Sequence, residues 1–173
     1  MVKTQFGITL ITIGIIFSGL ISAGQAGRLP TRPVSDHRLG SRITSLPGDH
    51  LVMVVGNSKY YYHKGVYYRP SPVGYVVVAA PVGAVVITLP EGYDKIKIGQ
   101  SSYFYYNGTF YRHDSRKKVF YVVKAPIDAV VSALPLGYAT TLIKGQKYYV
   151  AGGVRYRMTR RNGKPVYAVT KVS

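Results

Sequence analysis

The sequence predicts a mainly β fold of short antiparallel strands, set in tandem repeats of about 43–45 residues behind an N-terminal signal helix. Three observations predict it. "LPGDHLVMVVGNSKYYYHKGVYYR" starts at Leu46, returns at Leu89 as "LPEGYDKIKIGQSSYFYYNGTFYR" and again at Leu134 as "LPLGYATTLIKGQKYYVAGGVRYR". Each copy is made of β-branched or aromatic runs of strand length, closed by glycine. Between the aromatic runs sit Lys64-Gly65, Asn107-Gly108 and Gly152-Gly153, the pairs that favour a two-residue hairpin turn.

In chain order, residues 1–26 read as a signal peptide. Lys3 supplies a positive start, Phe6 to Ile21 is an apolar run, and Gly24 and Ala26 are the small residues expected before cleavage ahead of Gly27. An uncleaved membrane anchor is the alternative, since the run approaches the length that spans a bilayer. Residues 27–45, with Arg28, Arg32, Arg38 and Arg42 among Pro, Ser and Gly, read as a basic, extended linker. Residues 46–173 form the β-repeat domain, with units starting at 46, 89 and 134.

Within a unit, "HLVMVVG", "KIKIG" and "TTLIKG" predict a first strand and the tyrosine-rich hairpin follows. "YVVV" or "FYVV" predicts a further strand, stopped by Pro81 or Pro126. "PVGAVVITLP" reads as a strand. "PIDAVVSALP" fits a strand or a helical turn equally well.

A two-residue turn sets the pairing: Tyr61 opposes Tyr68, Tyr62 opposes Tyr67 and His63 opposes Val66. Alternation then places Tyr60, Tyr62, Tyr67 and Arg69 on one face, here the front, and Tyr61, His63, Val66 and Tyr68 on the back. The second hairpin puts Tyr103, Tyr105, Phe110 and Arg112 in front. The third puts Tyr148, Val150, Arg155 and Arg157 there. An aromatic face closed by arginine suits cation–π packing, and equally suits stacking on a sugar ring while the guanidinium holds an anion. On the binding reading Arg69, Arg112 and Arg157 make the charge contacts and Tyr62, Tyr67 and Tyr105 the stacking ones. On the structural reading each tyrosine is a half-buried core residue.

Composition narrows the function classes. Lys and Arg number 23 against six acids, which favours polyanion partners. Arg155, Arg160, Arg161 and Lys164 cluster near the C-terminus as a further polyanion contact, or as a polar hairpin at an exposed end. There is no cysteine, so no disulfide scaffold, thiolate metal site or cysteine nucleophile is available. The acids are scattered, the four histidines lack metal spacing, and no G-x-S-x-G or H-E-x-x-H motif occurs. No catalytic residue, metal or cofactor is expected.

The set Y-Y-x-x-x-G-x-Y-Y-R, then Y-x-V-V-x-A-P-x-x-A-V-V-x-x-L-P-x-G-Y, then a further tyrosine hairpin resembles an exported bacterial family known as domain of unknown function 6515. The resemblance runs from about Leu46 to Val172 and implies an envelope or secreted protein, with no established activity to transfer. "AVVxxLPxGYxxxxxxG" is also similar to bacterial SH3-like wall-binding modules, which implies an SH3-like or barrel-like body.

The expected function is therefore that of an exported, non-catalytic envelope protein, periplasmic or secreted. Its expected partner is an anionic polymer: peptidoglycan, lipopolysaccharide or exopolysaccharide. Extracellular nucleic acid would bind without specificity, and the membrane would engage an uncleaved signal segment alone. Two alternatives stand beside this reading. One is a structural protein assembling a surface layer through strand pairing. The other is a small outer-membrane barrel.

Overall fold

The computed structural model describes residues 38–171. The signal segment, and the linker as far as residue 37, lie outside the described residues.

Among the described residues the structure is β throughout, in three five-stranded antiparallel sheets. The first sheet holds β1 (Arg42–Ile43), β2 (Leu51–Val55), β3 (Ser58–His63), β4 (Val66–Pro70) and β5 (Tyr75–Val78), in the order β1-β5-β4-β3-β2. The second is β6 (Val85–Val86), β7 (Asp94–Ile98), β8 (Ser101–Tyr106), β9 (Thr109–Asp114) and β10 (Val119–Val123). The third is β11 (Val130–Val131), β12 (Ala139–Ile143), β13 (Gln146–Ala151), β14 (Val154–Arg161) and β15 (Lys164–Val169). All three share one order: the first, two-residue strand closes back on the last. The strands are thus divided among three sheets and do not close into one.

The tyrosine hairpins pair as the two-residue turns dictate. Tyr61 faces Tyr68 and Tyr62 faces Tyr67; Phe104 faces Tyr111 and Tyr105 faces Phe110; Tyr149 faces Tyr156. Both central residues of each turn have positive φ, 44° and 87° at Lys64-Gly65 and 44° and 85° at Asn107-Gly108. That is the primed turn whose twist matches the flanking strands.

One expectation needs correction, and the segment left open after Pro126 takes the same form as the strand expected after Pro81. Residues 39–45, read as part of an extended linker, belong to the first sheet. Arg42–Ile43 is β1, pairing Arg42 with Val76 and Ile43 with Tyr75, while Leu39, Ile43 and Leu46 pack over Val66, Tyr68 and Val77. Three apolar side chains among the arginines are enough to bind this segment down. The segments after Pro81 and Pro126 are alike: a turn, then a two-residue strand, Val85–Val86 or Val130–Val131. With one short strand drawn from ahead of each Leu-Pro, each sheet begins upstream of residues 46, 89 and 134.

The core lies between sheets. Tyr62 and Tyr67, from the front of the first sheet, pack with Ala84, Val86, Tyr106, Tyr111 and Val122 from the back of the second. Tyr105 and Phe110, from the front of the second, pack with Val131, Ala151, Tyr156 and Val169 from the back of the third. The hairpin turn of one sheet also abuts the Leu-Pro of the next. A side chain at Gly65 would run into the Tyr106 ring, and one at Gly108 would come within 2.7 Å of Pro135 Cγ. This is the physical use of pairing a glycine turn with a Leu-Pro step in the sequence.

Candidate functional site

The stacking arrangement decides which aromatics reach solvent. Tyr62, Tyr67 and Tyr105 are 7 %, 2 % and 0 % exposed. They belong to the core between sheets, so the stacking contacts expected of them on a ligand are corrected: each ring is covered by the neighbouring sheet. Burial pushes the Tyr62 phenol up to about 12, and raises Tyr67, Tyr111 and Tyr156 further. These hydroxyls stay neutral and structural at any physiological pH.

The arginines are placed differently. Arg69 and Arg112 are exposed, each over a half-buried tyrosine on its own front face: Arg69 Cζ is 5.7 Å from the Tyr60 ring centre and Arg112 Cζ 6.0 Å from that of Tyr103. In the third sheet the cation over Tyr148 is Arg155, at 5.5 Å, on the diagonal. Arg157 is exposed beside it. The three arginines expected to act together are therefore on three different sheets, two of whose front faces are covered over much of their area.

Among the described residues no fourth sheet lies in front of the third. At the positions of Tyr62 and Tyr67 the third sheet carries Val150 and Arg155, which pair with each other across β13 and β14. Register places Arg155, Arg157 and Arg161 along the same side of β14, with Lys164 opposite Arg161. At the usual rise per residue, this row covers about 20 Å. Arg160 belongs to the back face and donates to the Gly163 carbonyl at 2.9 Å, so the C-terminal basic cluster is split between two faces. From Ala129 to the last residue the sequence holds eight Lys and Arg and no Asp or Glu. The front of the third sheet thus carries a row of cations, Arg155 half-buried and Arg157, Arg161 and Lys164 exposed, with no acid in that stretch of sequence.

The back faces carry a pattern that sequence reasoning missed. Each has a chain of edge-to-face rings: His50–Tyr61–Tyr75, Tyr93–Phe104–Phe120 and Tyr138–Tyr149–Tyr167, with neighbouring ring centres 5.1 to 5.6 Å apart. A lysine lies over the middle ring in each, Lys59, Lys95 and Lys147, at 5.5 to 5.9 Å. The signal was present in the residue that follows Leu-Pro by three: His50, Tyr93 and Tyr138.

Other chemistry is sparse. His63 Nε2 is 2.9 Å from Asp49 Oδ1 and Lys64 Nζ 3.5 Å from Asp49 Oδ2, a surface ion cluster. No group of three potential metal ligands occurs among the described residues. An open cleft of about 310 Å³ lies where all three sheets approach, lined by Ala79, Val82, Ile127 and Gly153 with Lys124 and Arg155 at its edge.

Residues 32–173 match the family of unknown function DUF6515. The chain belongs to that family. The match covers all three sheets and begins ahead of β1, in agreement with the folded state of residues 39–45. No curated protein matches the chain, and no solved structure matches it. Membership of DUF6515 brings no assigned activity, so any function rests on the surfaces described above.

Proposed function

We propose that this DUF6515 protein is an exported, non-catalytic component of the cell envelope, periplasmic or secreted, that binds an anionic glycan or wall polymer through the front of its third sheet. The observation that carries the reading is the uncovered row Arg155, Arg157, Arg161 and Lys164, on a stretch of sequence with no acid. A row of about 20 Å along one strand suits an extended chain of repeated anions better than one small anion, which a concave site would enclose. Arg155 lies over the Tyr148 ring, which orients the guanidinium at one end of the row. The signal segment and the lack of cysteine fit export without a disulfide framework. The three sheets act as SH3-like modules of the wall-binding kind, the first two devoted to packing and the third to contact.

The test is retention of residues 27–173 on purified peptidoglycan, lipopolysaccharide and DNA, at low and physiological salt. This span includes every core residue of the described fold. Retention on one envelope polymer at physiological salt supports the reading and names the partner. Equal retention on DNA, or loss of all binding at that salt, reduces the basic face to general electrostatics and overturns it.

A further inference from the structure

The outer edge of β2 differs from the corresponding edges of the other two sheets. It reads Leu-Val-Met-Val-Val, apolar throughout where β7 carries charges and β12 two threonines, and Leu51, Val52 and Val54 are 54 %, 55 % and 70 % exposed. In the second sheet, register matches Val52 and Val54 to Lys95 and Lys97 of β7. Edge lysines are a common device against pairing with another chain, so the second sheet is guarded and the first is not. In β12 the same positions are Thr140 and Leu142.

The backbone of β2 is also suitably disposed. Val55 and Ser58 close the two-residue turn to β3, so the hydrogen-bonding groups of Leu51, Met53 and Val55 point inward. Those of Val52 and Val54 point to the open edge. Among the described residues no hydrogen bond from another element reaches them.

We propose that β2 is a self-association edge, pairing antiparallel with the β2 of a second copy. A two-fold axis through Met53 sets Met53 against its counterpart and Val52 against Val54 of the partner copy. About four backbone hydrogen bonds then form across the axis. The strand favours its own copy as occupant because its central Val52-Met53-Val54 reads the same from either end and the flanking Leu51 and Val55, which then face each other, are both apolar. Every side chain meets an apolar one in that register, and no charge opposes a like charge. The contact is small, so association is expected in the micromolar range. Because each copy is strongly basic, added salt strengthens it by screening, the opposite of its effect on polyanion binding.

The experiment is sedimentation equilibrium of residues 27–173 over a range of concentrations, beside the Val52→Lys/Val54→Lys double variant, which gives β2 the guard that β7 has. The expected result is a monomer–dimer equilibrium for the parent chain, weakened about a hundredfold or more in the double variant, with the thermal midpoints similar. A cysteine-free chain allows a second readout: Met53→Cys should oxidise to a covalent dimer, and Thr141→Cys, at the matching position of β12, should not. A monomer at all concentrations overturns the proposal, whether the edge is bare or covered by another strand. A dimer untouched by the two lysines, or equal cross-linking at Thr141, overturns it as well.

Discussion

The Tyr67 hydroxyl lies 3.2 Å from the Tyr111 hydroxyl, and the two buried rings join the front of the first sheet to the back of the second. In the corresponding place at the next interface Phe110 stands where Tyr67 does, opposite Tyr156. The Tyr156 hydroxyl is buried there without a well-aligned hydrogen-bond partner, though the Tyr105 side chain bears on it. At this position the two interfaces differ by one oxygen; beside the turn they differ by a ring, Tyr106 in the first standing where Ala151 does in the second.

The difference of one oxygen predicts opposite effects of opposite substitutions. Tyr67→Phe removes one hydrogen-bond partner of the buried Tyr111 hydroxyl and should destabilise by about 1 kcal/mol. Phe110→Tyr brings a second hydroxyl towards Tyr156, beside that of Tyr105, and should be neutral to stabilising by about 1 kcal/mol. Urea unfolding midpoints of the two variants against the parent check both signs.

Alkaline pH should unfold the stack cooperatively. Tyr62 is raised from 10 to about 12 by burial, helped by its neighbour Tyr106, and Tyr67, Tyr111 and Tyr156 are raised further. A group whose folded pKa exceeds the unfolded value adds stability that is complete below pH 10 and is lost as pH rises through the folded value. Stability should therefore be flat with respect to these groups below pH 10 and fall from there through pH 12. Phenolate absorbance should show the exposed tyrosines ionising first and the buried set only with loss of near-ultraviolet circular dichroism.

The hairpin glycines separate backbone strain from crowding. Gly108 has φ +85° and Gly163 φ +74°, so alanine is strained at both. At Gly163 the added methyl meets open space. At Gly108 it meets the Pro135 ring at 2.7 Å, across the interface between the second and third sheets. Gly163→Ala should cost about 1 kcal/mol and Gly108→Ala at least about 2 kcal/mol, read from thermal midpoints.

Much of the local structure was legible because a two-residue turn leaves no freedom of register. Asn107-Gly108 fixes Tyr105 opposite Phe110 without any knowledge of the rest of the molecule. The burial of Tyr62, Tyr67 and Tyr105 was not legible in the same way. Alternation assigns a side chain to a face, while what covers the face depends on how sheets stack, and Tyr serves equally well in a core and at a wet surface. The exchange of Arg155 for Arg157 over Tyr148 is of the same kind: pairing predicts the opposite neighbour, and a long guanidinium side chain reached the diagonal one. The decisive feature of the candidate site, Val150 and Arg155 where the other sheets have aromatics, was written in the alignment of the copies. Its meaning needed the knowledge that those positions lie between sheets.

The most direct test of the account is the affinity of residues 27–173 for polygalacturonate, an anionic polysaccharide, with neutral dextran as control, at about 50 and 300 mM salt. The parent is compared with the Arg155→Gln/Arg157→Gln/Arg161→Gln/Lys164→Gln variant, whose changes all lie on the uncovered front of the third sheet. The account predicts no binding to dextran and binding to polygalacturonate that weakens with salt. In the variant that binding should fall about tenfold or more, with an unchanged melting midpoint and a shallower salt dependence. Equal affinity in parent and variant, or equal affinity for the neutral polymer, would contradict it.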